Sequence, residues 1–250
     1  MIFLDAVLLN YSIVTNKTIK MPSYIISLVC VLFSLPLIHL NDYLDITISL
    51  ILLTLTYNEI ISLGDSTKAR VGIFKSGFFI GIITLINFNF LSFYFIAFVS
   101  LIYYSQFTWK NLLAQILGLI YPSLIFYACY FLGYEISLYR FFDNTPYYFS
   151  NYTIYLLITF FFLILSMKEL YHNYYRKTEK AKKAFNILFM ISTLILIQTI
   201  VFKNLKFVYF SIIPLTVIVA NYLIYIKHKK VRTFLLGLLI ITFMLQIFYP

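Results

Sequence analysis

The sequence predicts an all-α integral membrane protein, a polytopic bundle of about ten membrane segments, some of them half-length, in a single transmembrane domain over residues 1–250. Three observations predict it. Of 250 residues, 62% are hydrophobic and 11% charged, against about 25% charged in a soluble domain. Apolar runs of membrane-spanning length recur from end to end. These runs do not alternate polar and apolar residues, as the strands of about ten residues in a transmembrane barrel would. The longest polar stretch, residues 168–184, has seventeen residues, too few for a soluble domain. Met1 is followed by apolar residues and Asp5, not by the basic region that opens a cleavable signal peptide.

In chain order the apolar segments are 1–14, 22–39, 46–63, 76–104, 112–133, 153–167, 185–202, 207–226 and 233–249. The first is too short to cross a bilayer core of about 30 Å at about 1.5 Å per residue. Either the polypeptide starts upstream or this segment is half-inserted. The fourth is too long for one span of about 20 residues and barely long enough for two. Charge counting decides between them. If 76–104 is a hairpin turning at Asn87–Phe90, the loops 15–21, 64–75, 105–111, 168–184 and 227–232 share one side and hold 16 Lys and Arg, leaving 3 on the other. A single span makes the totals 8 and 11. The positive-inside rule selects the hairpin, with basic loops cytoplasmic, the hairpin tip outside and the C-terminus periplasmic. Asn87 and Asn89 suit the turn. Two arms of about 14 residues cannot both cross a full-thickness core, so the hairpin is re-entrant, sits in thinned membrane, or ends in a protein-lined cavity. Gly77 and Gly81 form a small-xxx-small pair for close helix packing. No internal repeat supports an inverted-repeat transporter.

The net charge of +10 would suggest nucleic acid in a soluble protein; here it sets membrane orientation, and no nucleic-acid partner is expected. Cys30 and Cys129 sit singly in apolar segments, which suggests neither a disulfide framework nor a metal centre. Asp42 and Asp45, three residues apart at the outer face, can hold a divalent cation or serve as a base. They can equally cap the helix that starts there, which is the expectation we adopt. Residues 134–152, rich in aromatics, lie along the interface; Arg140 within them can meet a lipid phosphate. Glu59 stands close enough to the inner boundary to pair with Lys68 or Arg70. His39 and His172 are expected at the interfaces. Gln115, Gln198 and Asn221 are expected to form interhelical hydrogen bonds. Residues 168–184, with six cations, two acids and three tyrosines, read as a cytoplasmic surface for anionic lipid or as a docking site for a partner. No nucleotide, nucleophile-elbow, zincin or CxxC motif is present.

The middle of the chain adds a resemblance. Phe74 before the Gly77/Gly81 pair, Leu85, Phe88, the Phe107–Asn111 turn with Trp109, and Gly118 with Pro122 resemble an uncharacterised family of polytopic inner-membrane proteins of Bacteroidota, over residues 8–135. Members of that family usually carry one more hydrophobic segment before the one that starts here. The resemblance implies a Gram-negative inner membrane and supplies no activity. The short paired helices and outer-face acids also look, in architecture, like membrane-embedded polyprenyl-phosphate-sugar-dependent glycosyltransferases. The expected function is therefore a non-catalytic membrane subunit of an envelope-assembly or glycoconjugate machine. Its partners would be membrane lipids and other membrane proteins, with no cofactor. The alternatives are a polyprenyl-phosphate-dependent glycosyltransferase at the outer face, the one reading in which a divalent cation enters, and a transporter.

Overall fold

The computed structural model describes residues 1–19, 21, 23–39, 42–64, 69–132, 153–202, 205–226 and 228–248. They form ten α-helices, with no strand among the described residues: α1 (Ile2–Thr15), α2 (Ile25–Ser34), α3 (Tyr43–Ser62), α4 (Ala69–Ile86), α5 (Phe93–Tyr103), α6 (Trp109–Phe131), α7 (Thr153–Asn173), α8 (Glu179–Phe202), α9 (Ile212–Tyr225) and α10 (Lys229–Phe248). Each apolar segment of the sequence yields one helix, and the long fourth segment yields two. Among the described residues, five helical segments are long and apolar enough to cross a membrane: α3, α4, α6, α8, and Lys206–Tyr225, which comprises a 3-10 turn and α9.

Local chemistry sets the helix ends. Pro36 has no N–H to continue α-helical bonding, and the chain passes from α2 into a 3-10 turn over Leu35–His39. α1 and α5 both end in a Schellman turn. Thr18 N donates to Ile13 O and Lys17 N to Val14 O; Gln106 N donates to Leu101 O and Ser105 N to Ile102 O. Lys17 and Ser105 take the left-handed position, at φ 53° and 57°, where glycine is usual. Asn87 closes α4: its side chain accepts from Asn89 N at 2.9 Å, and a 3-10 turn over Phe88–Ser92 leads into α5.

α4 and α5 form the expected hairpin, with both arms against α6 at one level. The Gly77 backbone lies on that of Gln115, whose Nε2 donates to Ala97 O of α5 at 3.0 Å. The expected lengths need correction in one arm. α4 begins at Ala69, carrying Arg70 and Lys75 within the helix, and its 18 residues reach spanning length; long cationic side chains can reach the interface from inside a span. α5, with 11 residues, remains the short arm. The α4–α6 crossing is made by glycine. A Cβ at Gly77 would overlap Gln115 O, one at Gly118 would overlap Phe74 O, and one at Gly81 would stand 2.5 Å from Leu119 O. Pro122, one turn beyond Gly118, borders the same contact. The buried residues of α6 are Gln115, Gly118 and Pro122, a single stripe at helical spacing. α9 is the opposite case, with most of its side chains buried between α2, α7, α8 and α10.

The loops separate by charge. Thr18, after α1, meets residues 169–181 and Tyr225 around one cavity. Asn16 Nδ2 donates to Asn58 Oδ1 at the end of α3, at 3.0 Å. Gly64 lies against Tyr104. Asn186 Nδ2 donates to Tyr103 OH at 2.6 Å, and Tyr174 OH donates to Asn186 Oδ1 at 2.9 Å. Ala69 and Arg70 face Gln106 to Asn111. The loops rich in lysine and arginine therefore gather at one end of the bundle. At the other end, Phe90 of the hairpin turn packs against Phe207 and Phe210, with ring centres 5.7 and 4.6 Å apart.

Candidate functional site

The sequence-nominated residues fall in separate places. Asp42 is the N-cap of α3 by position, but its side chain makes no cap hydrogen bond. Its carboxylate instead pairs with Lys206, which is only 3% exposed. The capping expectation is corrected at Asp42: a buried ammonium is far more costly without a carboxylate than a helix N-terminus is without a cap. Asp45 stands in the first turn of α3. Arg140, and the whole of 134–152, lie outside the described residues, as does Lys68, one of the two partners expected for Glu59. No group of three or more His, Cys, Asp or Glu able to hold a metal occurs among the described residues.

Of the three polar residues expected to form interhelical hydrogen bonds, Gln115 does so, Gln198 binds the hairpin turn, and Asn221 binds Lys177 in the connection between α7 and α8. Gln115 reaches Ala97 O. Gln198 Nε2 donates to Asn89 O at 2.9 Å and to Ser92 Oγ, which fastens the hairpin tip to α8. Asn221 Oδ1 accepts from Lys177 Nζ at 2.7 Å.

That last bond borders a cavity of about 300 Å³ at the basic end of the bundle. Its walls come from four elements. α7 ends here with Glu169 and Asn173, α8 begins here with Thr178 and Ala181, α9 contributes Asn221 and Tyr225, and the turn after α1 contributes Thr18. Arg176 and Lys177 come from the junction of α7 and α8. The Lys177 ammonium lies 4.6 Å from the ring centre of Phe185 and 5.4 Å from that of Tyr225, within cation–π range. Asn173 Nδ2 donates to Glu169 Oε1. Thr178 Oγ1 accepts from Ala181 N and caps α8, so the positive end of that helix dipole opens toward the cavity. Thr18 is 2% exposed, with its hydroxyl buried beside that of Tyr57.

No family model, no curated protein and no solved structure matches this chain. The functional reading therefore rests on its own residues.

The sequence marked 168–184 as a lipid-facing surface but gave no sign that Thr18 and Asn221, remote in the chain, complete a cavity there. It also passed over Asp5. This acid is buried, with Thr54 Oγ1 donating to Oδ1 at 2.7 Å and Cys30 Sγ 3.9 Å from Oδ2. An acid inside an apolar run was the available signal; the shortness of the segment drew attention away from it.

Proposed function

We propose that the chain is a multi-pass membrane subunit of a bacterial envelope-assembly or glycoconjugate machine, non-catalytic, with its basic end in the cytoplasm and engaged there with anionic lipid. The observation that carries this reading is the gathering of the lysine- and arginine-rich loops at one end of a helical bundle, around a polar cavity. Such an end suits the negative cytoplasmic leaflet, where each basic residue near the surface contributes about 1 kcal/mol of attraction. Placement in a Bacteroidota inner membrane rests on the resemblance carried by Phe74, Gly77, Gly81, Trp109, Gly118 and Pro122. The glycosyltransferase alternative loses Asp42, which is engaged by Lys206, and keeps Asp45, in the first turn of α3, as its remaining nominated carboxylate. The transporter alternative needs polar groups facing a midplane path, and the amides of Gln115 and Gln198 bind α5 and the hairpin turn.

Two measurements test the proposal. With Cys30 and Cys129 replaced, a cysteine at the exposed Phe88 position should react with an impermeant thiol reagent added outside, and one at Thr178 should not; the reverse pattern overturns the orientation. Purification from native membranes should return stoichiometric membrane-protein partners, and a chain that purifies alone overturns the subunit reading.

A further inference from the structure

We infer that the cavity at the basic end is a binding site for a phosphate group, held by Arg176 and Lys177 beside the N-terminus of α8. This inference deepens the anionic-lipid reading and rests on it only for the sidedness of the site.

Four features support it. The first is available charge: among the described residues the Arg176 guanidinium has no hydrogen-bond or ion-pair partner, yet it stands on the cavity wall. A guanidinium presents five donors in a planar fork that matches a phosphate. The second is the Lys177 ammonium, which Asn221 Oδ1 holds at the cavity wall at 2.7 Å and which adds a second positive charge there. The third is the N-terminus of α8, whose dipole favours an anion at this position. The fourth is size, since about 300 Å³ lies at the lower bound of small-ligand pockets and fits a headgroup better than a sugar chain. Glu169 is the acid among the lining residues; Asn173 occupies one of its oxygens, and two cations with a helix N-terminus outweigh it.

The Schellman turn that ends α1 positions Thr18. Lys17 holds the left-handed conformation, which turns the chain so that Thr18 N reaches back to Ile13 O and the residue closes one wall of the cavity. The polar wall of the site is thus drawn from segments about 160 residues apart.

Phosphate of this chemistry has two sources, a lipid headgroup and a soluble phosphate compound. The purified full chain in neutral detergent is titrated with short-chain phosphatidic acid and, separately, with inorganic phosphate, with short-chain diacylglycerol as the uncharged control. Binding is read by isothermal calorimetry. We expect saturable binding of at least one phosphate ligand and none of diacylglycerol. Binding of phosphatidic acid alone assigns the site to lipid, and comparable binding of both assigns it to a soluble phosphate. Arg176→Gln, at an exposed residue without a partner, should weaken binding roughly tenfold, the loss of one strong charge-assisted hydrogen bond. Lys177→Met keeps the length of the side chain, removes its charge and should weaken binding severalfold. Near-equal affinities of both variants and the parent, or no saturable binding of either phosphate ligand, overturn the inference. The labelling pattern at positions 88 and 178 is independent of this titration, so a failed phosphate site and a failed membrane orientation are told apart.

Discussion

Lys17 carries a cost that glycine would remove. A left-handed backbone costs an ordinary L-residue about 1–2 kcal/mol, and Lys17 bears it at φ 53° to finish α1 and place Thr18. Lys17→Gly should keep the turn and raise stability by up to about 1 kcal/mol, less than the full strain because glycine also gains freedom in the unfolded chain. Thermal unfolding in detergent measures this, and a fall in the midpoint would mean that the Lys17 side chain makes a contribution larger than the strain. At the other end, the pairing of Asp42 with Lys206 replaces a capping role. Asp42→Asn and Asp42→Ala both leave the Lys206 ammonium without its carboxylate. Asp42 is one-quarter exposed, so both should lose about 2–3 kcal/mol, below the 3–5 kcal/mol of a wholly buried pair. Asn is nearly as good a cap as Asp, so an Asn variant of wild-type stability would restore the capping account. Adding Lys206→Met to Asp42→Asn should recover most of the loss.

At the scale of elements, the α4–α6 crossing depends on the absence of side chains. Gly118→Leu inserts a side chain where even a Cβ overlaps Phe74 O. Overpacking costs about 1–3 kcal/mol where neighbours can relax; here the obstruction is backbone, so the upper end of that range or beyond is expected. Gly237, with open space around its Cβ position, is the internal control, and Gly237→Ala should be neutral or slightly stabilising by helix propensity. Equal effects at the two glycines would refute close packing at α4–α6. The hairpin tip depends on a different link. Gln198→Leu removes one donor to Asn89 O and should cost about 0.5–1.5 kcal/mol, the net contribution of one hydrogen bond, because Ser92 Oγ still donates to that carbonyl. Hydrogen exchange should then rise first over Phe88–Ser92, while α9 remains protected.

Across the whole molecule, charge asymmetry and packing point to the same arrangement. Charge counting separates 16 cations from 3, and among the described residues the contacts bring the basic-loop segments together and set the hairpin turn beside Phe207 and Phe210 at the other end, although packing does not depend on that count. If charge sets orientation, lysines placed at Phe88, Asn89 and Leu91 should hinder translocation of the tip. Labelling of an outer cysteine would then fall or become mixed, as the positive-inside rule requires. Unchanged labelling would mean that helix packing alone sets the hairpin. The segment order was legible because apolar run length is a direct response to membrane thickness. The Gly77/Gly81 pair was legible as a packing face, but its partner was not, because small residues show that something approaches and not what.

The sequence by itself determined the all-helical class, the nine apolar segments, the break at Asn87 and the segregation of charge. Each is a local or summed property of composition: a run length, a turn residue, a count of lysines and arginines. Tertiary structure alone decided which groups meet. It sent Asp42 to Lys206 across 164 residues, set Gly118 against Phe74, buried Asp5 against Thr54, and closed the cavity at the basic end with Thr18 on one wall and Arg176, Lys177 and Asn221 on the others. Pairings between distant segments depend on helix rotation and crossing, which no period or spacing within one helix specifies, because a short-range pattern shows which face of a helix is buried and not which neighbour covers it.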